Sequence, residues 1–222
     1  MKENIYVISG FSGAGKSSLL KEALKNLENV ELIKSYTTRA PRGKNDDGYH
    51  FVELEEFLQM EGAGEFLETN FYGDHYYGTP LGDVKRCLEN GKSPVLEIDP
   101  NGYQKILDCG LFENIHSLFV VAKADEVFKR LYMRNTEYIG GILRRIHTAV
   151  KECQKLDSYD VIMENVDFSE SVKKLESFLA TGCVVGFLSP GFLSPGFRHS
   201  GISLTGISSQ RDSGKRTRYH YR

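Results

Sequence analysis

The run Gly10-Phe11-Ser12-Gly13-Ala14-Gly15-Lys16-Ser17 follows the apolar segment Ile5-Tyr6-Val7-Ile8 and precedes Leu19-Leu20-Lys21-Glu22-Ala23-Leu24. A G-x-x-x-x-G-K-[ST] loop between a strand and a helix has the context of a phosphate-binding loop. Its glycines let successive backbone N–H groups turn inward around a polyphosphate, and the helix N-terminus behind them favours negative charge. Lys16 supplies a point charge to the β- and γ-phosphates, and the Ser17 hydroxyl is placed to ligate Mg²⁺. No other feature constrains the fold as tightly.

The pattern up to about residue 180 fits that demand, because short β-branched runs alternate with helical periods, as in an α/β sheet. Strands are expected over Ile5–Ser9, Val30–Ser35, Tyr49–Val52, Ser93–Ile98, Ser117–Ala122 and Val161–Met163. Helices are expected over Ser17–Leu27, Leu54–Glu61, Gly82–Asn90, Gly102–Asp108, Ala124–Tyr132, Gly141–Leu156 and Ser169–Leu179. Asn90-Gly91 closes one of these and Ser169 opens the last. The order implies a parallel core sheet with a smaller insertion over residues 35–80.

Composition narrows the function classes. The chain is 40% hydrophobic and 26% charged, as in an ordinary soluble domain, and no apolar stretch reaches the ~20 residues of a membrane span. Met1-Lys2-Glu3-Asn4 leads straight into a strand, so a cytoplasmic protein is expected. Cys87, Cys109, Cys153 and Cys183 show no C-x-x-C spacing, and no histidine pair has metal-ligand spacing. Structural thiols are the expectation.

After Cys183 the pattern changes. Gly-Phe-Leu-Ser-Pro occurs at 186–190 and again at 191–195, and the rest is rich in Ser, Gly and Arg. Residues 184–222 read as a flexible basic tail. The stretch from residue 186 carries net charge +5, against −7 for residues 1–185. Its end, Lys215-Arg216-Thr217-Arg218-Tyr219-His220-Tyr221-Arg222, mixes charge with aromatics in a way that suits nucleic acid or an acidic surface. A solvated, unselected extension is the favoured reading, and no stable nucleic-acid partner is expected.

A phosphate loop alone leaves ATPases, GTPases and kinases open. The deciding segment is Ser35-Tyr36-Thr37-Thr38-Arg39-Ala40-Pro41-Arg42, followed by Gly48-Tyr49-His50-Phe51. Arg39 and Arg42, three apart and anchored by a proline, make a fork for a second phosphate, because a guanidinium binds phosphate oxygens bidentately. Glu97 and Asp99 are two apart on an expected strand and would face one side at its C-terminal end.

These segments, with Tyr76-Tyr77-Gly78-Thr79, resemble the guanylate kinase family over about residues 4–180. The resemblance implies an α/β P-loop nucleoside monophosphate kinase with a parallel core sheet, flanking helices, a small mixed α/β GMP-binding insertion and a helical lid. Its core would comprise residues 1–34 and 81–183, its insertion about 35–80 and its lid about 130–146. It implies transfer of the γ-phosphate of ATP to GMP and dGMP with Mg²⁺, by a monomer or homo-oligomer without membrane attachment. On the ATP side it implies roles for Gly10, Phe11, Ser12, Gly13, Ala14, Gly15, Lys16, Ser17, Ser18, Arg130, Arg134 and Asn165. On the GMP side, Ser35, Arg39, Arg42, Tyr49 and Tyr77 match groups that hold the phosphate. Glu68 and Thr79 match those that read guanine, and Glu97 and Asp99 match the acidic strand end between the nucleotides. Lys16, Arg39, Arg42, Arg134 and Arg145 would act in catalysis. The chain departs from the family in a short stretch between Arg42 and Tyr49 and in the lid sequence Arg134-Asn135-Thr136-Glu137-Tyr138.

The assignments are also sensible chemically. Guanine presents N1–H and N2–H₂ donors side by side, and one carboxylate accepts both, so a buried Glu68 selects guanine over adenine. Phosphoryl transfer between two anions needs charge neutralisation and in-line positioning. Two alternatives remain at this level: a related kinase acting on a ribose bisphosphate, and a non-catalytic guanylate-kinase-like binding module. Glu68 and Thr79 speak against the first, and the intact Lys16-Ser17 against the second.

Overall fold

The computed structural model describes residues 4–182 except 42, 44, 45, 47, 124, 128–147, 149 and 150. All of them belong to the compact unit Met1–Val184. Strand β1 (Ile5–Gly10) is buried along its whole length, as the middle strand of a two-sided parallel sheet must be. The core sheet adds β2 (Val30–Ile33), β7 (Ser93–Glu97), β8 (Ile115–Val121) and β9 (Val161–Glu164), in the order β2-β7-β1-β8-β9. Every pairing in it is parallel. The chain leaves β1 first toward β2 and β7 and later toward β8 and β9. The crevice at the C-terminal end of β1, where this order reverses, is where open α/β sheets bind ligands.

Helix α1 (Lys16–Ala23) packs against α5 (Phe168–Thr181). Leu19, Leu20 and Ala23 on the first and Leu175, Phe178 and Leu179 on the second are fully buried at helical spacing. Each such leucine or phenylalanine contributes about 2 kcal/mol of hydrophobic stabilisation. Tyr6 joins α5 to the sheet through its edge contact with Phe178, ring centroids 5.6 Å apart.

Between β2 and β7 the chain builds a second, four-stranded sheet in the order β4-β3-β6-β5. Its strands are β3 (Tyr36–Thr37), β4 (His50–Phe51), β5 (Phe66–Tyr72) and β6 (His75–Pro80), with α2 (Leu54–Gly62) before the β5-β6 hairpin. Helix α3 (Leu81–Glu89) then returns the chain to β7, and α4 (Pro100–Cys109) packs on both β1 and β5. Helix α4 therefore contacts both sheets.

Several expectations need correction. The strand expected over Val30–Ser35 stops at Ile33, and Tyr36–Thr37 belongs to the other sheet. A continuous β-branched run does not reveal where a chain changes sheets. The β5-β6 hairpin was not anticipated, although Gly73 and Asp74 carry positive φ values of 58° and 68° in a two-residue turn. Asp167, not Ser169, caps the last helix, accepting from the Glu170 N–H at 2.8 Å. The first helix gives way to a 3₁₀ turn over Leu24–Asn26. Of the helices expected over Ala124–Tyr132 and Gly141–Leu156, residues 125–127, 148 and 151–153 are helical, and most of the remainder lies outside the described residues. A 3₁₀ turn occupies Leu156–Ser158.

Candidate active site

The phosphate loop leaves β1 at Gly10, and a Cβ there would stand 2.2 Å from the Val120 carbonyl oxygen. Only glycine allows β1 and β8 to stay paired through that point. At the far end Gly15, with φ of 96°, caps α1 without a side chain. Phe11 and Ala14 face inward: the Phe11 ring meets Phe119 edge-on at 5.0 Å, and Ala14 is fully buried. Their contribution to a phosphate site is made by backbone. The Asn165 amide, itself buried, donates to the Ala14 carbonyl at 2.8 Å and so ties the loop to the end of β9.

One cleft is lined by both halves of the expected constellation. Gly10, Ser12, Gly13, Gly15, Lys16, Ser17 and Ser18 form one wall, and Ser35, Tyr49, Glu68 and Tyr77 another. Glu97 and Asp99 lie in the same cleft. Lys16 Nζ donates to the carbonyl oxygens of Gly10 at 2.6 Å and Phe11 at 3.2 Å, which holds its charge at the loop mouth. The Ser17 hydroxyl donates to Glu97 Oε1 at 2.8 Å. Asp99 is not on the strand, which corrects the expectation of a pair on one strand face. Pro100 opens α4, and Asp99 caps it, Oδ1 accepting from the N–H groups of Asn101 and Gly102. Its other oxygen accepts from the Asn70 amide.

Arg39 is buried and held on all sides. It donates to the Ala40 carbonyl at 2.8 Å and to Asp46 Oδ2 at 3.0 Å, and its guanidinium lies 5.4 Å and 5.3 Å from the ring centroids of Tyr49 and Phe51. Tyr49 and Tyr77 meet edge-on at 5.7 Å. Tyr76 instead packs on Phe57 and Phe71, while its neighbour Tyr77 lines the cleft. Arg42, Arg130, Arg134 and Arg145 lie outside the described residues.

Glu68 is only 7% exposed, and its Oε1 accepts from the buried Thr79 hydroxyl at 2.6 Å. Burial pushes its carboxyl up to about 7; the Thr79 hydrogen bond opposes this, and the Asp99 charge adds to it. A second carboxyl in the cleft, Glu152, is also raised to about 7 by burial, with Lys16 pulling it down and Asp99 pushing it up. The sequence reading missed Glu152, Asn70 and Tyr72 as cleft residues. Asn70 and Tyr72 sit on β5, which a search for aromatic runs around Gly73-Asp74 finds. Glu152 sits in a helical stretch with no motif to distinguish it.

Comparison with known proteins agrees with this geometry. A family model described as guanylate kinase matches residues 2–181. The chain belongs to the guanylate kinase family. It is 35% identical over 180 residues to a guanylate kinase of Clostridioides difficile, covering 80% of this chain and 87% of that one. A guanylate kinase of Campylobacter jejuni strain RM1221 is 37% identical over 183 residues, covering 81% and 89% respectively. The crystal structure of guanylate kinase from Anaplasma phagocytophilum superposes with a TM-score of 0.63 at 27% identity, over 81% of this chain and 85% of that one. The parallel core sheet with flanking helices is thus the fold of a P-loop nucleoside monophosphate kinase, as the sequence resemblance implied.

Family membership carries ATP-dependent phosphotransfer with it. Among the described residues no helix is long and apolar enough to cross a membrane, and no three His, Cys, Asp or Glu side chains form a metal-holding group.

Proposed function

We propose that this chain transfers the γ-phosphate of ATP to GMP, and to dGMP, with Glu68 as the reader of guanine. The observation that carries this reading is a buried carboxylate in the same cleft as an intact phosphate loop. Gly10 to Ser18 take the ATP polyphosphate, with Lys16 placing its charge on the β- and γ-phosphates. Asn165 contributes by fixing the loop. Ser17, with Glu97 beside it, would hold Mg²⁺, which would supply neutralisation of the charge that develops on the transferred group. Ser35, Tyr49, Tyr77 and Arg39 hold the GMP phosphate, with Arg42 completing the fork. Asp99 orders α4 beside the base. Arg130, Arg134 and Arg145, assigned to a lid over residues 130–146, would close over the ATP phosphates. The reaction belongs in the cytoplasm, where ATP and GMP are available.

Burial explains the selectivity. Adenine presents the Glu68 carboxylate with a lone pair where guanine offers a donor, so the carboxyl must face that lone pair or take up a proton, and in either case it loses the two-donor pairing that guanine gives. ADP release from ATP and Mg²⁺ with a panel of GMP, dGMP, AMP, UMP and ribose 1,5-bisphosphate tests the reading. GMP and dGMP are expected to be the efficient acceptors. Equal turnover with AMP, UMP or the ribose bisphosphate refutes the assignment, and absence of turnover with any acceptor points to a binding module.

A further inference from the structure

Glycine is a poor choice inside a helix, because it has more backbone freedom to lose than alanine. Gly102 nevertheless occupies the third position of α4, behind the capping Asp99, Pro100 and Asn101. Its backbone is helical, so its dihedral angles do not call for glycine. The reason lies across the cleft. A Cβ on Gly102 would stand 2.6 Å from Glu68 Oε2 and 3.1 Å from its Cδ.

Glu68 cannot simply step aside. It is 7% exposed, and the Thr79 hydroxyl holds its other oxygen at 2.6 Å. Nor can the helix back away, because the Asp99 carboxylate binds the first-turn N–H groups of α4 with one oxygen and Asn70 with the other. Asn70 and Glu68 are on the same strand, β5. The Asp99–Asn70 bond thus fixes the spacing between helix and strand, and Gly102 leaves the gap that the carboxylate fills.

We propose that Gly102 is a specificity-determining positioning residue: its missing side chain sets the depth at which the Glu68 carboxylate sits, keeping both oxygens available to the paired donors of guanine. This inference rests on Glu68 as the guanine reader. An added methyl moves the carboxylate by several tenths of an ångström and rotates it away from the plane of the base. Bidentate pairing, which needs both oxygens in that plane, is what such a shift removes.

Gly102→Ala, Glu68→Ala and the double variant test it, with steady-state kinetics on GMP, on IMP, which lacks the 2-amino group, and on ATP. In Gly102→Ala the KM for GMP is expected to rise about tenfold, the KM for ATP to stay within about twofold, and the preference for GMP over IMP to narrow. In the Glu68→Ala background the same substitution is expected to change nothing further, and the double variant to melt no lower than Glu68→Ala, since alanine is the better helix former. A Gly102→Ala chain that fails to fold while the double variant folds also supports the contact. An unchanged GMP KM and GMP/IMP ratio in Gly102→Ala overturns the proposal. An equal effect in both backgrounds, or failure of both chains to fold, does so too, because the helix rather than Glu68 then needs the glycine. If Glu68→Ala alone leaves GMP KM unchanged, it is the guanine reading that fails, and Gly102 loses its role with it.

Discussion

Lowering the pH from 8 to 6 should weaken GMP binding through one identifiable group. The guanine donors need the ionised form of Glu68, yet burial lifts its carboxyl to about 7. Protonation then competes with GMP, and the apparent dissociation constant rises as one plus ten to the power of pKa minus pH. That is a change of roughly tenfold between pH 8 and pH 6. The GMP phosphate also titrates near about pH 6 and adds its own slope. Glu68→Gln separates the two, because it keeps the phosphate term and removes the carboxyl. Isothermal calorimetry at pH 7 in buffers of different ionisation enthalpy should show wild type releasing about half a proton more than the variant on binding GMP. Equal pH slopes and equal proton release in the two proteins refute the reasoning.

The same shift has a consequence for stability, and its sign follows from linkage. The native value lies above the ordinary 4.5, so the folded state holds the proton more tightly than the unfolded chain. The stability from this group is complete below the ordinary value and is lost as pH rises through about 7, a span of about 3 kcal/mol. Urea unfolding of wild type and Glu68→Gln should therefore diverge in favour of the variant as pH rises from 4.5 to 8. Parallel curves would mean that the carboxyl is not desolvated in solution.

Three further substitutions probe the rest of the cleft. Lys16→Ala should lower kcat by about a hundredfold or more, because it removes a charge aimed at the transferring phosphate; near-normal ADP release in a coupled assay contradicts this. Arg39→Ala should raise the KM for GMP by about tenfold with the KM for ATP little changed, as loss of a charge-assisted phosphate contact does. Unaltered GMP kinetics would confine Arg39 to its bond with Asp46. Gly10→Ala should destabilise the fold by about 3 kcal/mol, since its Cβ meets the backbone of Val120 rather than a side chain able to rotate away; a urea midpoint equal to wild type rejects that close approach.

What could be read in the sequence depended on how local the cause was. The loop from Gly10 to Ser17 declares itself because its function is a backbone path, and residues adjacent in sequence specify it. The strands of the core sheet were legible for a related reason: burial on both faces leaves continuous apolar runs such as Leu118-Phe119-Val120-Val121, all of them buried. Helix ends were less legible, because Asp167 and Ser169 are both good capping residues and only the tertiary path decides between them. The break between Ile33 and Tyr36 was invisible, since alternation reports a strand but not the sheet it joins.

The site shows the same division more sharply. Glu68 was singled out by the resemblance to the guanylate kinase family and made sense of by the chemistry of guanine, but its environment comes from residues that no local pattern connects. Thr79 donates to it from the opposite strand of a hairpin, and Asp99 caps a helix that Pro100 starts. Gly102 then lies so close to the carboxylate that a Cβ there would stand 2.6 Å from Oε2, and the carboxylate would have to move. In the sequence Gly102 looks like an ordinary loss of helix propensity. Only the packing of α4 on β5 gives it a reason, because that packing turns the absence of a methyl group into the space in which the carboxylate can meet a base.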